Sequence, residues 1–336
     1  MDIEIHYYVN FLLAMKAGFN PNYAFKIAYS RQYIDDNSNI YKIYNYLDCN
    51  EYRNIITQTH NINLPNSILD SIYPVFHFVP GKSKCKSQCK ELDHPLVARP
   101  KNQRVTSALS YALSLNNPYI IGIASHAFLD SWAHQNFTGT FDIFNSIYPA
   151  YNAENNILNS VLIPKVGHMD ALGKPDMINA IWFDYRVINS KIDNNDRFLE
   201  AIQSLLLEYI RSFNKNIYRA LNKDEMIFID DIKAIFLNNE LDKTKRIKAY
   251  NSLSLKHFNL KILRYNKNQW FDDIIFEKTN YILDIKNHQK NQNYFWKKPF
   301  YQKSDFYLFQ EAAKDFQKFV LDKTGLKKVL DDYRNK

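Results

Sequence analysis

The segment "SHAFLDSWAHQNF", residues 125–137, constrains the fold more than any other part of the sequence. His126, Asp130 and His134 follow one another at intervals of four among small and apolar residues. At 3.6 residues per turn, this spacing places all three on one stripe of a helix. Burying Asp130 without a partner would be costly, so a cation must face it. We therefore expect a buried helix whose polar stripe either lines a site or interrupts a core.

The composition predicts long helices with few tight turns. The 336 residues are 46% hydrophobic but include only 7 glycines and 11 prolines, and glycine-poor sequences favour long helices. The histidines are concentrated in the first part of the chain. We therefore expect an all-α protein folded as a single domain, with a metal-binding helical half at 1–190 and a helical scaffold at 191–336 that offers a substrate or partner surface.

The local pattern predicts where the helices before residue 135 begin and end. A helix is expected over 3–17, and a second begins where Asn20 precedes a proline suited to a first turn. That second helix should end near Asp35 and Asp36. The other predicted elements are an irregular loop over 73–104 that holds His77, a helix over 103–116, and a helix from Asn117 and Pro118 to about Gln135.

The N-terminal sequence and the cysteine content bear on the compartment. The chain lacks the basic region and cleavage site of a signal peptide, and no apolar stretch approaches the length of a membrane span. Three cysteines are too few for a disulfide framework, which fits a reducing compartment. We expect a cytoplasmic protein, with export by a route that needs no cleavable signal as the alternative.

The charge balance favours an anionic partner. A formal net charge of +8 suits a phosphate ester, nucleic acid or an anionic lipid surface, although a solvated basic surface is the simpler explanation. The segments "RYNKNQWFDD" and "NQNYFWKKPFYQK" combine aromatic and basic residues that would suit docking on an anionic membrane.

Imidazoles and carboxylates in the first half form a candidate metal-binding set. Neutral imidazoles and carboxylates are the ligands that Zn²⁺-type ions prefer. In the structural alternative, Asp130 pairs with Arg104 or Arg186 and the two acidic residues near 35 are a solvated helix end. The candidate ligands are His6, Asp35, Asp36, His77, His126, Asp130, His134 and His168.

In their order along the chain, these residues resemble the zinc-dependent phospholipase C and single-strand nuclease superfamily, whose fold is all-helical. The resemblance lies in "IHYYVNFLLA", "YIDDN", "FHFVPG", "SHAFLDSWAH" and "GHMD". The start of the chain with "QYIDDN" is also similar to a bacterial family of unknown function related to these enzymes.

The resemblance implies three zinc ions and a role for each ligand. One ion would be held by Asp35 or Asp36 with His77, His126 and Asp130, and Asp130 would bridge to a second ion held by His6. A third would be held by His134, His168 and either Asp170 or Asp176. Where the secreted phospholipases use their first residue as a ligand, Asp2 or Glu4 would substitute.

These roles predict a metal-dependent phosphodiester hydrolase, phospholipase C-like, with two or three zinc ions and a zinc-activated hydroxide. Asp35, Asp36 and Asp130 are the expected catalytic carboxylates, one of the first two orienting the attacking water. Phospholipid is preferred over nucleic acid as substrate. The alternatives are a single-strand nuclease and an exported membrane- or protein-binding effector that retains the metal site.

Overall fold

The computed structural model of the protein describes residues 1–45, 50–81, 94–147, 166–213, 219–280 and 291–335. A π-helical turn, Glu4–Val9, leads directly into the first helix, and another π-helical turn, Tyr73–His77, follows the third. The helices are α1 (Asn10–Ala17), α2 (Pro21–Asp36), α3 (Asn66–Leu69), α4 (Gln103–Leu115), α5 (Pro118–Ala133), α6 (Asn194–Phe213), α7 (Lys223–Leu237), α8 (Lys243–Phe258), α9 (Gln269–Ile274), α10 (Asp305–Lys318) and α11 (Leu326–Arg334).

The predicted helix boundaries before residue 135 are confirmed. The side chain of Asn20 accepts a hydrogen bond from Tyr23 N at 3.0 Å, and Asn117 caps α5 in the same way. Gly18 ends α1 in the left-handed region, with φ +107°, a conformation that glycine adopts without strain. Because α2 ends at Asp36, both acidic residues lie in its last turn.

Helix α5 lies at the centre of the molecule. Each of its sixteen residues is buried, and it packs against α2, α4, α6 and α10. Gly122 makes the crossing with α2 possible, because a Cβ there would lie 2.4 Å from the carbonyl oxygen of Ile27. The hydrophobic core around α5 includes Leu12, Leu205 and Phe309, so it draws on residues from both halves of the chain.

Two small β-sheets accompany the helices, so the all-α expectation is wrong and the protein is α/β. The all-helical phospholipase C fold that the resemblance implied is overturned by the same finding. One sheet is mixed, in the order β2-β1-β6-β5, with β1 parallel to β6 and both other pairs antiparallel. The other sheet pairs β3 with β4. The strands are β1 (Lys42–Tyr44), β2 (Glu51–Arg53), β3 (Ile181–Phe183), β4 (Lys191–Asp193), β5 (Ile275–Asn280) and β6 (Asn291–Trp296).

The sequence analysis did not predict the strands, and the reason is physical. Four of them have three residues, which is too short for alternation to be visible, and β1 pairs with a strand about 250 residues away. The sequence predicts a docking surface at the two aromatic-basic segments that contain Trp270 and Trp296. Trp270 and Trp296 are both buried in the core, so neither can contact a membrane.

No helix in the described part of the chain combines the length and apolar character needed to cross a membrane.

Candidate metal centre

Helix α5 presents the centre of the site. Its polar stripe carries His126 and Asp130, which are 0% and 1% exposed, and His134 follows as its C-terminal capping residue. The amide of His134 donates to the carbonyl of Asp130 at 2.8 Å, so its imidazole leaves the helix just beyond the last turn. His134, four residues after Asp130, therefore reaches the site from the end of the helix.

The first metal-binding group combines α5 with the ends of two other elements. Asp35 comes from the last turn of α2, and His77 ends the π-helical turn Tyr73–His77. Nδ1 of His77, Nε2 of His126 and Oδ2 of Asp130 lie 3.0–3.5 Å from one another, and Asp35 Oδ1 lies 3.7–3.8 Å from the two nitrogens. Ligands 2.0–2.1 Å from a tetrahedral zinc ion are separated by roughly 3.4 Å. Asp35, His77 and His126 can therefore hold one ion together, and Asp130 Oδ2 is close to the same two imidazole nitrogens.

The second group lies where the loop after residue 166 approaches the end of α5. Asp176 Oδ1 is 3.1 Å from Nε2 of His134, and Asp176 Oδ2 is 3.0 Å from Nε2 of His168. The three residues can hold a metal ion together. Three protein ligands would leave a fourth coordination position open on such an ion.

The third group consists of His6, His126 and Asp130. Nε2 of His6 lies 3.4 Å from Asp130 Oδ1, and it has no hydrogen-bond partner among the described residues. Asp2 and Glu4, expected to assist here, instead pair with Lys243 and Arg246.

The Met1 nitrogen, rather than Asp2 or Glu4, lies beside Asp130 in this part of the cluster. It is 2.8 Å from Asp130 Oδ1 and 3.0 Å from Asp176 Oδ1.

Backbone carbonyls orient four of the five imidazoles. The ring nitrogen of each that is remote from the cluster donates to a carbonyl oxygen 2.8–2.9 Å away, and a carbonyl can only accept. The opposite nitrogen of each neutral ring therefore carries its lone pair towards the cluster, as a metal ligand must. The pairs are His77 with Thr57, His126 with Arg31, His134 with His77, and His168 with Leu172.

With the rings oriented in this way, lone pairs of acceptor atoms face one another in the first group. The lone pairs of His77 Nδ1 and His126 Nε2 face each other at 3.1 Å, and Asp130 Oδ2 lies 3.0 Å from the latter. Asp130 Oδ2 is also a buried atom with no hydrogen-bond donor among the described residues. Such opposed acceptors repel unless a proton or a metal cation lies between them. The donor set thus fits a metal ion.

The electrostatic environment differs from ligand to ligand. Burial lowers the pKa of His77, but its hydrogen bond with Asp130 and the Asp35 carboxylate outweigh burial and raise it. Burial lowers the pKa of His126 to about 4, so its imidazole is neutral. Burial alone would raise the pKa of Asp130, but the Met1 amino group and the surrounding imidazoles hold it well below its usual range. Burial and the Asp130 carboxylate raise the pKa of Asp35 to about 7, although His77 opposes them. Burial disfavours the charged Met1 amino group, but the Asp130 and Asp176 carboxylates raise its pKa to about 11, so this group already compensates part of the negative charge that a bound cation would neutralise.

Two candidate ligands lie outside the cluster. Asp36 Oδ2 accepts hydrogen bonds from Tyr265 at 2.7 Å and from Gln32 at 3.2 Å, away from the imidazoles. Asp170 Oδ2 accepts from the amide of Ile147 at 3.0 Å and holds the nearby loop. Of the two pairs of alternatives, Asp35 and Asp176 lie in groups that could hold a metal ion, whereas Asp36 and Asp170 lie outside them.

The cluster opens on a pocket of about 660 Å³. Asp35 lies at this pocket with 28% of its side chain exposed, and Asp130, His134 and His168 also line it. No lysine or arginine from the described segments contributes to its lining. The apolar part of the wall is formed by Ile62, Tyr73, Phe78, Val166, Met169 and Leu172.

The sequence interpretation missed Arg31. Its carbonyl orients His126, and its guanidinium Nε lies 3.1 Å from Nδ1 of His6. The spacing could have revealed it, because Arg31 precedes Asp35 by four residues on α2 and so shares its face. Carbonyls such as that of Thr57 leave no such signal, since every residue has one.

The model of one protein family, a family of unknown function named DUF6765, matches residues 1–324 of the chain. No curated protein and no solved structure matches it.

Proposed function

The chain belongs to the DUF6765 family, and we propose that it is a zinc-dependent phosphodiester hydrolase of phospholipase C-like activity. The observation that carries this proposal is the opposed set of acceptor atoms of His77, His126 and Asp130, beside a second group that opens on the same pocket. An imidazole-rich donor set favours zinc over magnesium or calcium, which prefer oxygen ligands.

Each carboxylate has a distinct task in the proposed hydrolase. When bound, neighbouring zinc ions supply Lewis-acid activation of water and neutralise charge on a phosphate. Asp130 is almost fully buried beside the pocket, so its task is to hold the site together. Asp35 directs Oδ1 at the first group and is partly exposed in the pocket, so its carboxylate can orient a water and accept its proton.

The pocket favours a diester with an apolar substituent. Nucleic acid binding relies on lysine and arginine contacts to successive phosphates, and no such side chain among the described residues lines this pocket. The exposed side chains of Met169 and Leu172 extend the apolar wall to its mouth. We therefore propose phospholipid, rather than single-stranded nucleic acid, as the substrate class.

The neighbouring aspartates of α2 provide a matched test. Purified protein, Asp35→Asn and Asp36→Asn are compared for zinc content and for hydrolysis of phosphatidylcholine micelles, a single-stranded oligonucleotide and a chromogenic phosphodiester. The parent and Asp36→Asn should retain zinc and hydrolyse the lipid, because Asp36 lies outside the cluster. Asp35→Asn should bind about one zinc ion fewer per chain. Its turnover rate should be at least 100-fold lower, as expected when a group at the reacting centre is removed.

The other outcomes separate the alternatives. Less than about one zinc ion per parent chain, after purification without chelator, refutes the metal site. Faster cleavage of the oligonucleotide than of the lipid favours the nuclease. Tight zinc binding without hydrolysis of any of the three substrates favours a binding protein that retains the metal site.

A further inference from the structure

His6 is hydrogen-bonded in the opposite sense to the other four imidazoles of the cluster. Its Nδ1 faces Nε of Arg31 at 3.1 Å. A guanidinium can only donate and keeps its proton in proteins, so Nδ1 of His6 must carry a lone pair. The proton of the neutral ring is then on Nε2, the nitrogen that faces the cluster.

The surroundings of Nε2 fit a donor. Nε2 has no hydrogen-bond partner among the described residues, but Asp130 Oδ1 at 3.4 Å and Asp35 Oδ2 at 3.7 Å are acceptors that an N–H there would face. A nitrogen that carries a proton has no lone pair for a metal ion. The third group therefore differs from the other two, although its ligand atoms also lie within 4.8 Å of one another.

The burial of Arg31 makes its contact with His6 electrostatically important. The guanidinium is fully buried, and its two terminal nitrogens have no hydrogen-bond partner among the described residues. Burial lowers the pKa of Arg31 to about 10, so it is still a cation at neutral pH. A buried cation needs compensating negative charge. Asp130 and Asp35 supply it through the imidazole of His6, which links the guanidinium to the carboxylates.

We propose that Arg31 positions His6 as a hydrogen-bond donor to Asp130, so that His6 is not a metal ligand and the cluster holds two ions. This inference rests on the proposed function in one respect, since it assumes that the other two groups bind metal. It assigns a positioning role to Arg31 and His6. The proposed hydrogen-bonded chain Arg31–His6–Asp130 holds the Asp130 carboxylate in place, and neither Arg31 nor His6 lines the pocket.

The test combines metal counting with a spectroscopic assignment of the ring proton. Zinc is counted in the full-length protein by elemental analysis, and ¹⁵N-histidine NMR locates the proton of His6 with and without zinc. We expect two ions per chain and a protonated Nε2 in both states. His6→Gln, whose amide can still donate, should keep both ions, whereas the matched His126→Gln should lose at least one.

The Arg31→Met variant tests the positioning role directly. Methionine fills the buried site of Arg31 with an apolar side chain, which removes the contact with His6 and the buried positive charge near Asp130 and Asp35. The proton of His6 should then no longer be fixed on Nε2, and its NMR signature should change. An unchanged His6 spectrum in folded Arg31→Met refutes this role.

The remaining results would overturn the inference as follows. Three zinc ions in the parent, a lone pair on Nε2 of His6 in the loaded protein, or loss of an ion in folded His6→Gln would each do so. If the parent binds no zinc, the proposed function fails, and the proton position in the metal-free protein still decides the role of Arg31. If His6→Gln does not fold, the spectrum of the unsubstituted protein decides alone.

Discussion

The substitution Gly122→Ala should uncouple the two helices that carry the first metal-binding group. Gly122 lies where α5 crosses α2, and an added Cβ would meet the Ile27 carbonyl oxygen at 2.4 Å and Ser30 Cβ at 2.6 Å. Ordinary contacts at such atoms begin at 3.4 Å, so α2 must move by about 1 Å. A backbone carbonyl cannot rotate away as a side chain would.

Two opposing terms set the size of the effect. Alanine is the better helix former by about 0.5–1 kcal/mol. Overpacking a buried contact costs about 1–3 kcal/mol, with the upper end expected where the obstacle is backbone. The free energy of unfolding should thus fall by about 2 kcal/mol. Because Asp35 moves with α2, and metal–ligand distances tolerate only about 0.2 Å, zinc affinity should fall at least tenfold.

Gly173→Ala is the matched control, since no atom lies within 4 Å of its added Cβ and its φ is negative. Denaturant unfolding in the presence of chelator measures stability, and competition with a zinc-binding dye measures affinity. The control should match the parent in both. If Gly122→Ala is as stable as the parent or more stable, helix propensity outweighs packing and the proposed coupling between the crossing and the site is wrong.

Three further substitutions have defined outcomes. Asp130→Asn should lower zinc content and melting temperature together, because loss of a buried carboxylate leaves its cationic neighbours uncompensated; full zinc content would make Asp130 merely structural. Burial raises the pKa of Asp142, but hydrogen bonds from His94 and Tyr333 outweigh it and lower the pKa to about 2. The ionised group thus stabilises the fold above about pH 4 and less as pH falls towards 2. Asp142→Asn should cost about 1 kcal/mol at pH 7, after allowance for its partial exposure, and a deficit that does not shrink in acid unfolding refutes this. Leu172→Gly should stabilise by about 1 kcal/mol, because φ +56° and ψ −141° favour glycine; thermal unfolding below that of the parent would show that the conformation is not strained.

The sequence predicted those parts of the fold that depend on local signals. Asn20 and Asn117 indicate where helices begin, because a side-chain cap and the following proline both act within one turn. The mixed sheet was missed because the pairing of β1 with β6 is a long-range contact between short segments, which no local pattern encodes. Burial of Trp296 followed from the same pairing and was missed with it.

For the candidate site, residue type and order located the cluster, but only geometry could choose between adjacent carboxylates. Asp35 and Asp36 have the same chemistry, yet one helical step turns Asp36 towards Tyr265 and away from the imidazoles. The direction of a ring proton is likewise invisible in sequence. His6 and His126 are the same residue type, and only their partners distinguish a donor from a ligand.

The use of backbone carbonyls to orient imidazoles has an evolutionary consequence. Thr57 and Leu172 each orient an imidazole of the cluster through an atom that any residue would provide at that position. Substitution of their side chains leaves the orienting carbonyl oxygen in place, so alanine scanning would not detect these hydrogen bonds. Replacement of the backbone amide by an ester would weaken them. Relatives of this chain can therefore diverge widely around their ligands while the coordination geometry stays the same.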